Sequence, residues 1–388
     1  MVSPLDPAIP LSHSPRTRLA SQARDGALRG RGATANPANR FDRLHYERDD
    51  EAIESARASD AAAELSSPTP RHPETLFLRD PTRKIISWNS SPDVPFDASV
   101  NPYRGCEHGC IYCYARPGHE FLGFSAGLDF ETRILVKENA PELLRRELMS
   151  PKWKPQLIGL SGVTDPYQPI ERKTKITRRV LEVLAEFRNP VGIITKNALI
   201  RRDIDVLKEL AECGAVSVNL SITTLDPDLH RVLEPRTSSP AMRLDAIRAL
   251  ADAGIPVGVN VAPVIAGLNC HEIPSILEAA AVAGARTAGH IVLRLPHGVK
   301  TLFEGWLQAH RPERAGKILS RLRSMRGGEL NDPRFGHRMK GGGVYAQQIH
   351  DLFDISLRKA GLSRERTTPT AEFFRRPPAP QLEMFDAM

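Results

Sequence analysis

Cys106, Cys110 and Cys113 stand within eight residues of the stretch NPYRGCEHGCIYCYARPG, and the 388-residue chain holds only five cysteines in all. Thiolates spaced this closely can converge on one centre from a single loop, which is how iron–sulfur clusters and zinc are gripped. The number of ligands then matters. A structural zinc closes a four-ligand tetrahedron, so a zinc reading must recruit His108, His119, Cys213 or Cys270. A [4Fe–4S] cubane held by three thiolates leaves one iron free to bind a small molecule, whereas an electron-carrying cluster would call for a fourth clustered cysteine.

The elements that must position this loop alternate in type. PQLIGLSGVTD (155–165) has the length of a buried strand, and KITRRVLEVLAEF (175–187) sets Ile176, Val180, Leu181, Val183 and Leu184 at helical spacing. PVGIITKN (190–197) precedes DIDVLKELAECG (203–214), where Asp203 can cap the first turn and Gly214 can end the last. AVSVNLSITTL (215–225) leads to AMRLDAIRALADAG (241–254), PVGVNVAPVI (256–265) to EIPSILEAAAVAGA (272–285), and GHIVLRLP (289–296) to a helix from near Leu302. One more strand fits PFDASVNPYRG, just before the cysteines. Such βα repetition implies parallel strands with right-handed crossovers, in an open sheet or in a full or partial barrel. No GxGxxG follows the first strand, which disfavours the dinucleotide-binding sheet.

Hydrophobic residues at 41% and charged residues at 26% suit a globular protein, while the 32 prolines gather toward the ends. An odd cysteine count, no signal-like leader and no long apolar window lead to the expectation of a soluble, cytoplasmic protein with no membrane partner. The expected organisation is a disordered tail over 1–75, a core over 76–300, a helical extension over 301–365 and a flexible tail over 366–388. In that last tail Phe373, Phe374 and Phe385 could dock onto the body. A net charge of +7 permits a polyanionic partner, against the plainer reading of a solvated surface.

CIYCYAR, with a strand before it and five βα units after it, resembles the signature of the radical S-adenosylmethionine superfamily. Tyr112 fills the place of the aromatic before the last cysteine. Within that superfamily, GVTDPYQPIE (162–171), LEPR (233–236) and APVIAGLN (262–269) are similar to the group that includes spore photoproduct lyase. The resemblance implies an α/β fold, a partial (β/α)6 TIM-like barrel whose first loop carries a [4Fe–4S] cluster on Cys106, Cys110 and Cys113. It also implies binding of S-adenosylmethionine at the open iron, its reductive cleavage to a 5′-deoxyadenosyl radical, and an electron donor such as a flavodoxin or ferredoxin.

The resemblance sets Tyr112 against the adenine, and Ser161, Gly162, Thr164 and Asp165 where the family's turn for the methionine amine stands. Ser221 falls near the ribose or carboxylate, and Asn260 near the adenine. Asp165 has a competing role as a turn cap. Cys270 is a candidate hydrogen donor, as a cysteine is in the lyase, against the role of a small buried hydrophobe. By position, Lys196, Arg201, Arg202, Arg236, Arg294 and His297 lie on the barrel's active rim. One of these cations, Arg236 among them, could pair with the cofactor's carboxylate and the others with a phosphate-bearing substrate, nucleic acid first. The competing reading pairs them with Glu171 and Glu234.

Overall fold

The computed structural model describes residues 28, 30–42, 73–160 and 162–378. Ten strands run through them: β1 (Leu76–Arg79), β2 (Ile86–Trp88), β3 (Ala98–Val100), β4 (Tyr103–Arg104), β5 (Arg133–Val136), β6 (Ile158–Leu160), β7 (Val191–Thr195), β8 (Val216–Ser221), β9 (Val257–Val264) and β10 (Thr287–Val292). β3 and β6 to β10 pair parallel and in chain order, with β2 antiparallel at the edge of β3. This is the α/β architecture of a partial (β/α)6 barrel. β1, β5 and β4 form a small second sheet, and β4 and β5 are the two legs of the loop that carries the cysteines.

The crossovers are helical: α1 (Ala140–Met149), α2 (Ile176–Phe187), α3 (Ile204–Glu212), α4 (Pro227–Leu233), α5 (Pro240–Asp252) and α6 (Ile273–Val282). α2 buries Ile176, Val180, Leu181, Val183, Leu184 and Phe187, the stripe its spacing requires. Gly214 ends α3 as expected, at φ +63° in the left-handed region, with the Ala215 amide reaching back to Leu210. Asp203 precedes α3 but does not cap it, because its buried carboxylate is taken by Arg178 and Arg202.

Register divides the strands into two faces. The pairs Ile193↔Val218 and Leu220↔Val259 belong to the apolar set, while Gly192↔Ser217, Asn219↔Gly258, Ser221↔Asn260 and Asn260↔Gly289 belong to the other. That second face is lined with small and polar residues, where the sequence had suggested apolar runs throughout.

α7 (Val299–His310), α8 (Pro312–Ser324) and α9 (Gly343–Lys359) form the helical extension. The stretch after it is not a free tail in its described part. Ser363 pairs with Thr287 beside β10, Arg366 reaches Asn260, and the Thr370 amide binds the Gly214 carbonyl. Phe374 then packs on Phe187, and Arg376 donates to the carbonyls of Leu148, Ser150 and Trp153. Carbonyls at helix ends lack intrahelical donors, and arginines supply them. Phe373 is half exposed, and Phe385 lies outside the described residues.

Residues 30–42, within the stretch expected to be a disordered tail, pack against the cysteine loop, while residues 1–27, 29 and 43–72 lie outside the described residues. Hydrogen bonds fix them there, together with the buried Ala33 and the contact of Phe41 with Phe121. No described helix is long and apolar enough to cross a membrane.

Candidate active site

Gly105 at φ +78° and Gly109 at φ +68° turn the chain through backbone conformations that side chains rarely adopt, bracketing Cys106. The Cys106 amide binds the Phe130 carbonyl at 2.8 Å, and the Cys113 amide closes a turn on the Cys110 carbonyl at 3.2 Å. Arg116, fully buried, grips this turn from inside. Its guanidinium donates to the Cys110 carbonyl at 2.9 and 3.0 Å, to the carbonyls of Ala126 and Gly127, and to the buried Glu131 carboxylate at 2.5 Å. A buried charge held this way is stable only because every donor has an acceptor.

Two of the motif loops brace the same turn. Gln168 accepts the Glu107 amide at 2.9 Å, and Glu107 takes the Ile170 amide at 2.7 Å and Arg236 at 3.1 Å. The Arg236 amide binds the His108 carbonyl, and the Ile111 amide binds that of Leu233. His108 itself lies between Asp165 at 3.5 Å and Asn197 at 3.1 Å. Asp165 accepts from the Tyr167 amide, the Thr195 hydroxyl and the Lys196 amide. Burial pushes its carboxyl up, but His108 and these donors outweigh it and hold the group below the ordinary carboxylate range.

Tyr112 belongs to a third knot. Its hydroxyl donates to Glu234, a fully buried carboxylate that also takes the Thr223 hydroxyl and Arg243 at 2.5 Å each, with Lys196 at 3.6 Å. Burial would raise the Glu234 carboxyl, yet Arg243 and Lys196 depress it well below its usual value. The Lys196 ammonium also donates to the Ala262 carbonyl at 2.9 Å and stands 5.8 Å from the Tyr112 ring centre.

The donor set suits a cluster. All three cysteines are free thiols in one loop, and burial raises each above the ordinary thiol range. Such thiols ionise when a strongly cationic iron centre arrives, and iron–sulfur clusters are thiolate-bound. Among the described residues no three His, Cys, Asp or Glu side chains are drawn together as around a single ion. A buried acceptor also waits without a partner, since Asn219 Oδ1 on the polar strand face has no hydrogen bond among the described residues.

Ser161 lies outside the described residues. The Gly162 carbonyl accepts the Tyr114 hydroxyl at 3.1 Å, and the Thr164 hydroxyl donates to the Tyr103 carbonyl at 3.0 Å. Ser221 is buried at the end of β8, where its carbonyl accepts Arg243, and Asn260 accepts Arg366 at 2.7 Å. Cys270 takes the Gly267 amide on its sulfur at 3.4 Å, within its own turn.

Of the cations, Arg202 is engaged in ion pairs, as the competing reading had it for Glu171. It is spent on Glu171 and Asp203 at 2.7 Å each, because those buried carboxylates need a partner. Arg236 is likewise bound to Glu107, and Arg201 is exposed. Arg294 differs. It lies 4.3 Å from the ring centre of the half-exposed Tyr114, and its neighbour Asp93 is already paired with Arg338 at 2.5 Å. With His297, Lys300, Glu329, Asn331, Asp332 and Arg338 it lines a cavity of about 420 Å³. Behind it the buried Arg326 donates to the carbonyls of Val292, Leu293 and His337, and its Nε has no partner among the described residues.

Sequence reasoning missed Arg116, Glu131, Thr223 and Arg243. Arg116 closes the quoted CIYCYAR, but nothing local shows that it is buried or which carboxylate it meets, and Glu131, Thr223 and Arg243 stand in none of the quoted functional motifs.

Residues 100–280 match the family described as the radical SAM superfamily. A Mycobacterium tuberculosis protein, the uncharacterized Rv2578c, is 38% identical over 234 residues, which are 60% of this chain and 68% of the relative. The uncharacterized MJ0683 of Methanocaldococcus jannaschii is 32% identical over 192 residues, 50% of this chain and 69% of that protein. Among solved structures, spore photoproduct lyase with bound AdoMet and dinucleoside spore photoproduct superposes with a TM-score of 0.55. That match has 17% identity and covers 74% of this chain and 81% of the lyase.

Proposed function

This chain belongs to the radical SAM superfamily, and on that premise we propose that it binds a [4Fe–4S] cluster on Cys106, Cys110 and Cys113 and abstracts hydrogen from a phosphate-bearing substrate. The observation that carries the reading is the bracing of one three-cysteine loop by buried pairs on three sides. Cys106, Cys110 and Cys113 would hold the cluster, which, once reduced by a one-electron donor, would supply the electron for reductive cleavage of S-adenosylmethionine and so the means of hydrogen abstraction from the substrate. The protein's part is orientation and exclusion of water. Lys196, held on Glu234 beside Tyr112, is placed to meet a carboxylate, and Asn219, Ser221 and Asn260 offer hydrogen bonds on the strand face. A one-electron carrier of the flavodoxin or ferredoxin kind would be the reductant.

Arg294 and its cavity support an anionic substrate, and nucleic acid is the leading version. A half-buried guanidinium with no salt bridge among the described residues, stacked on an exposed tyrosine, matches a phosphate and a base together. Cys270, whose sulfur is engaged in its own turn, gives no support to a hydrogen-donor role.

Anaerobic reconstitution followed by dithionite and S-adenosylmethionine tests the reaction. Close to four irons per chain and formation of 5′-deoxyadenosine are expected, with both lost in Cys110→Ala. Stoichiometric zinc in place of iron, or cofactor cleavage that survives Cys110→Ala, would sink the proposal.

A further inference from the structure

Residues 30–42, made largely of small and polar residues, direct their bonds to the segment that carries the cysteines. Gly32 and Ala33 donate their amides to the Glu131 carboxylate at 3.0 and 2.8 Å, and Arg31 donates to the Glu131 carbonyl at 2.9 Å. Asn36 and Asp129 exchange hydrogen bonds of 3.0 and 2.9 Å. The Ala35 carbonyl accepts the Leu128 amide, and Asn39 donates to the carbonyls of Glu120 and Phe124. Ala33 is fully buried. A Cβ on Gly32 would stand 1.8 Å from the Gly109 carbonyl oxygen, between Cys106 and Cys110.

Glu131 is the junction. One of its oxygens accepts both Ala33 and Arg116, the other accepts Gly32, and Arg116 in turn holds the Cys110 carbonyl. We infer that residues 30–42 form a positioning strap which, through Glu131 and Arg116, holds the cysteine loop in the shape that retains its cluster.

The inference rests on the reading that these cysteines bind a cluster. Its physical basis is the cost of ordering a loop that bears three thiols. Without the strap, Glu131 would lose two amide donors in a site closed to water, and the buried Arg116 pair would loosen with it. The strap's hydrogen bonds go to residues 73–75 and 120–131, and among the described residues none goes to a barrel strand. Its influence therefore belongs in cluster retention rather than in barrel stability.

Gly32→Ala in the full chain tests this, because the added methyl forces strap or loop to give way. Ala38→Ser, at an exposed position of the same segment where the added hydroxyl meets solvent, serves as the control. Each protein is reconstituted anaerobically, iron release to a chelator is followed by the loss of visible absorbance, and the cluster-free form is melted separately.

For Gly32→Ala, release should be roughly ten-fold faster, in the range seen for outer partners of metal ligands. Its cluster-free melting temperature should stay within about 2 °C of the parent, and Ala38→Ser should match the parent in both. Glu131→Gln should quicken release further. Unchanged release in Gly32→Ala would overturn the inference. A fall in the cluster-free melting temperature that accounts for the whole effect would overturn it equally, since the strap would then be ordinary packing. A parent protein that takes up no iron would refute the cluster reading instead.

Discussion

Single residues in this site are defined by which charges find partners. Glu234 meets four donors and Glu131 three, so neither buried carboxylate is left without partners. Arg294 is the exception, with an aromatic ring beneath it and no salt bridge among the described residues, though Glu329 lines the same cavity. Replacing it with glutamine should lower affinity for a short single-stranded oligonucleotide by about ten-fold and reduce the salt dependence by roughly one phosphate contact. Cofactor cleavage without substrate should be unaffected. Fluorescence anisotropy at several salt concentrations measures this, and equal affinity in the variant would remove nucleic acid from the proposal.

At the scale of elements, the barrel depends on segments that compositional reading sets aside. The stretch after α9 crosses from β10 to the ends of α2 and α1, and Arg376 supplies three hydrogen bonds to carbonyls there. Arg376→Ala should cost about 1–3 kcal/mol, the range for a charged donor withdrawn from carbonyls that are partly shut off from water. Urea unfolding gives the number, and a midpoint equal to the parent's would show that this crossing carries no stability.

For the whole molecule, acid is the vulnerable side. Burial holds His119 down to about 4, and burial with the neighbouring His350 does the same for His290, against an ordinary value of 6.5. The unfolded chain therefore binds more protons than the folded one between these limits, and stability rises with pH through that window and levels above it. Lowering the pH from 7 to 4 should cost on the order of 2–3 kcal/mol for the more deeply buried His119 alone. The depressed carboxyls of Asp165 and Glu234 act further down, since their contribution is lost only as pH falls through their lowered values. Denaturant midpoints at pH 7.5, 5.5 and 4.5 should fall in that order, and a flat profile would contradict the assignment.

The cysteine spacing, the βα alternation and the motif loops are local patterns, so the barrel and its three-thiol loop were legible from the chain alone. Helical periodicity placed α2, and a left-handed glycine placed the end of α3. Pairing between distant residues has no such local signature. Arg116 with Glu131, Glu234 with Arg243, and the bonds from residues 30–42 to residues 120–131 join separated segments. Only the tertiary structure shows that the expected rim cations Arg202 and Arg236 serve buried carboxylates. The same holds for the polar strand face, where alternation along each strand is decided by what covers either side. Composition treated both terminal stretches as unfolded because they lack apolar residues to bury; their described parts are held by hydrogen bonds to carbonyls and carboxylates that folding leaves without donors, together with a few aromatic contacts.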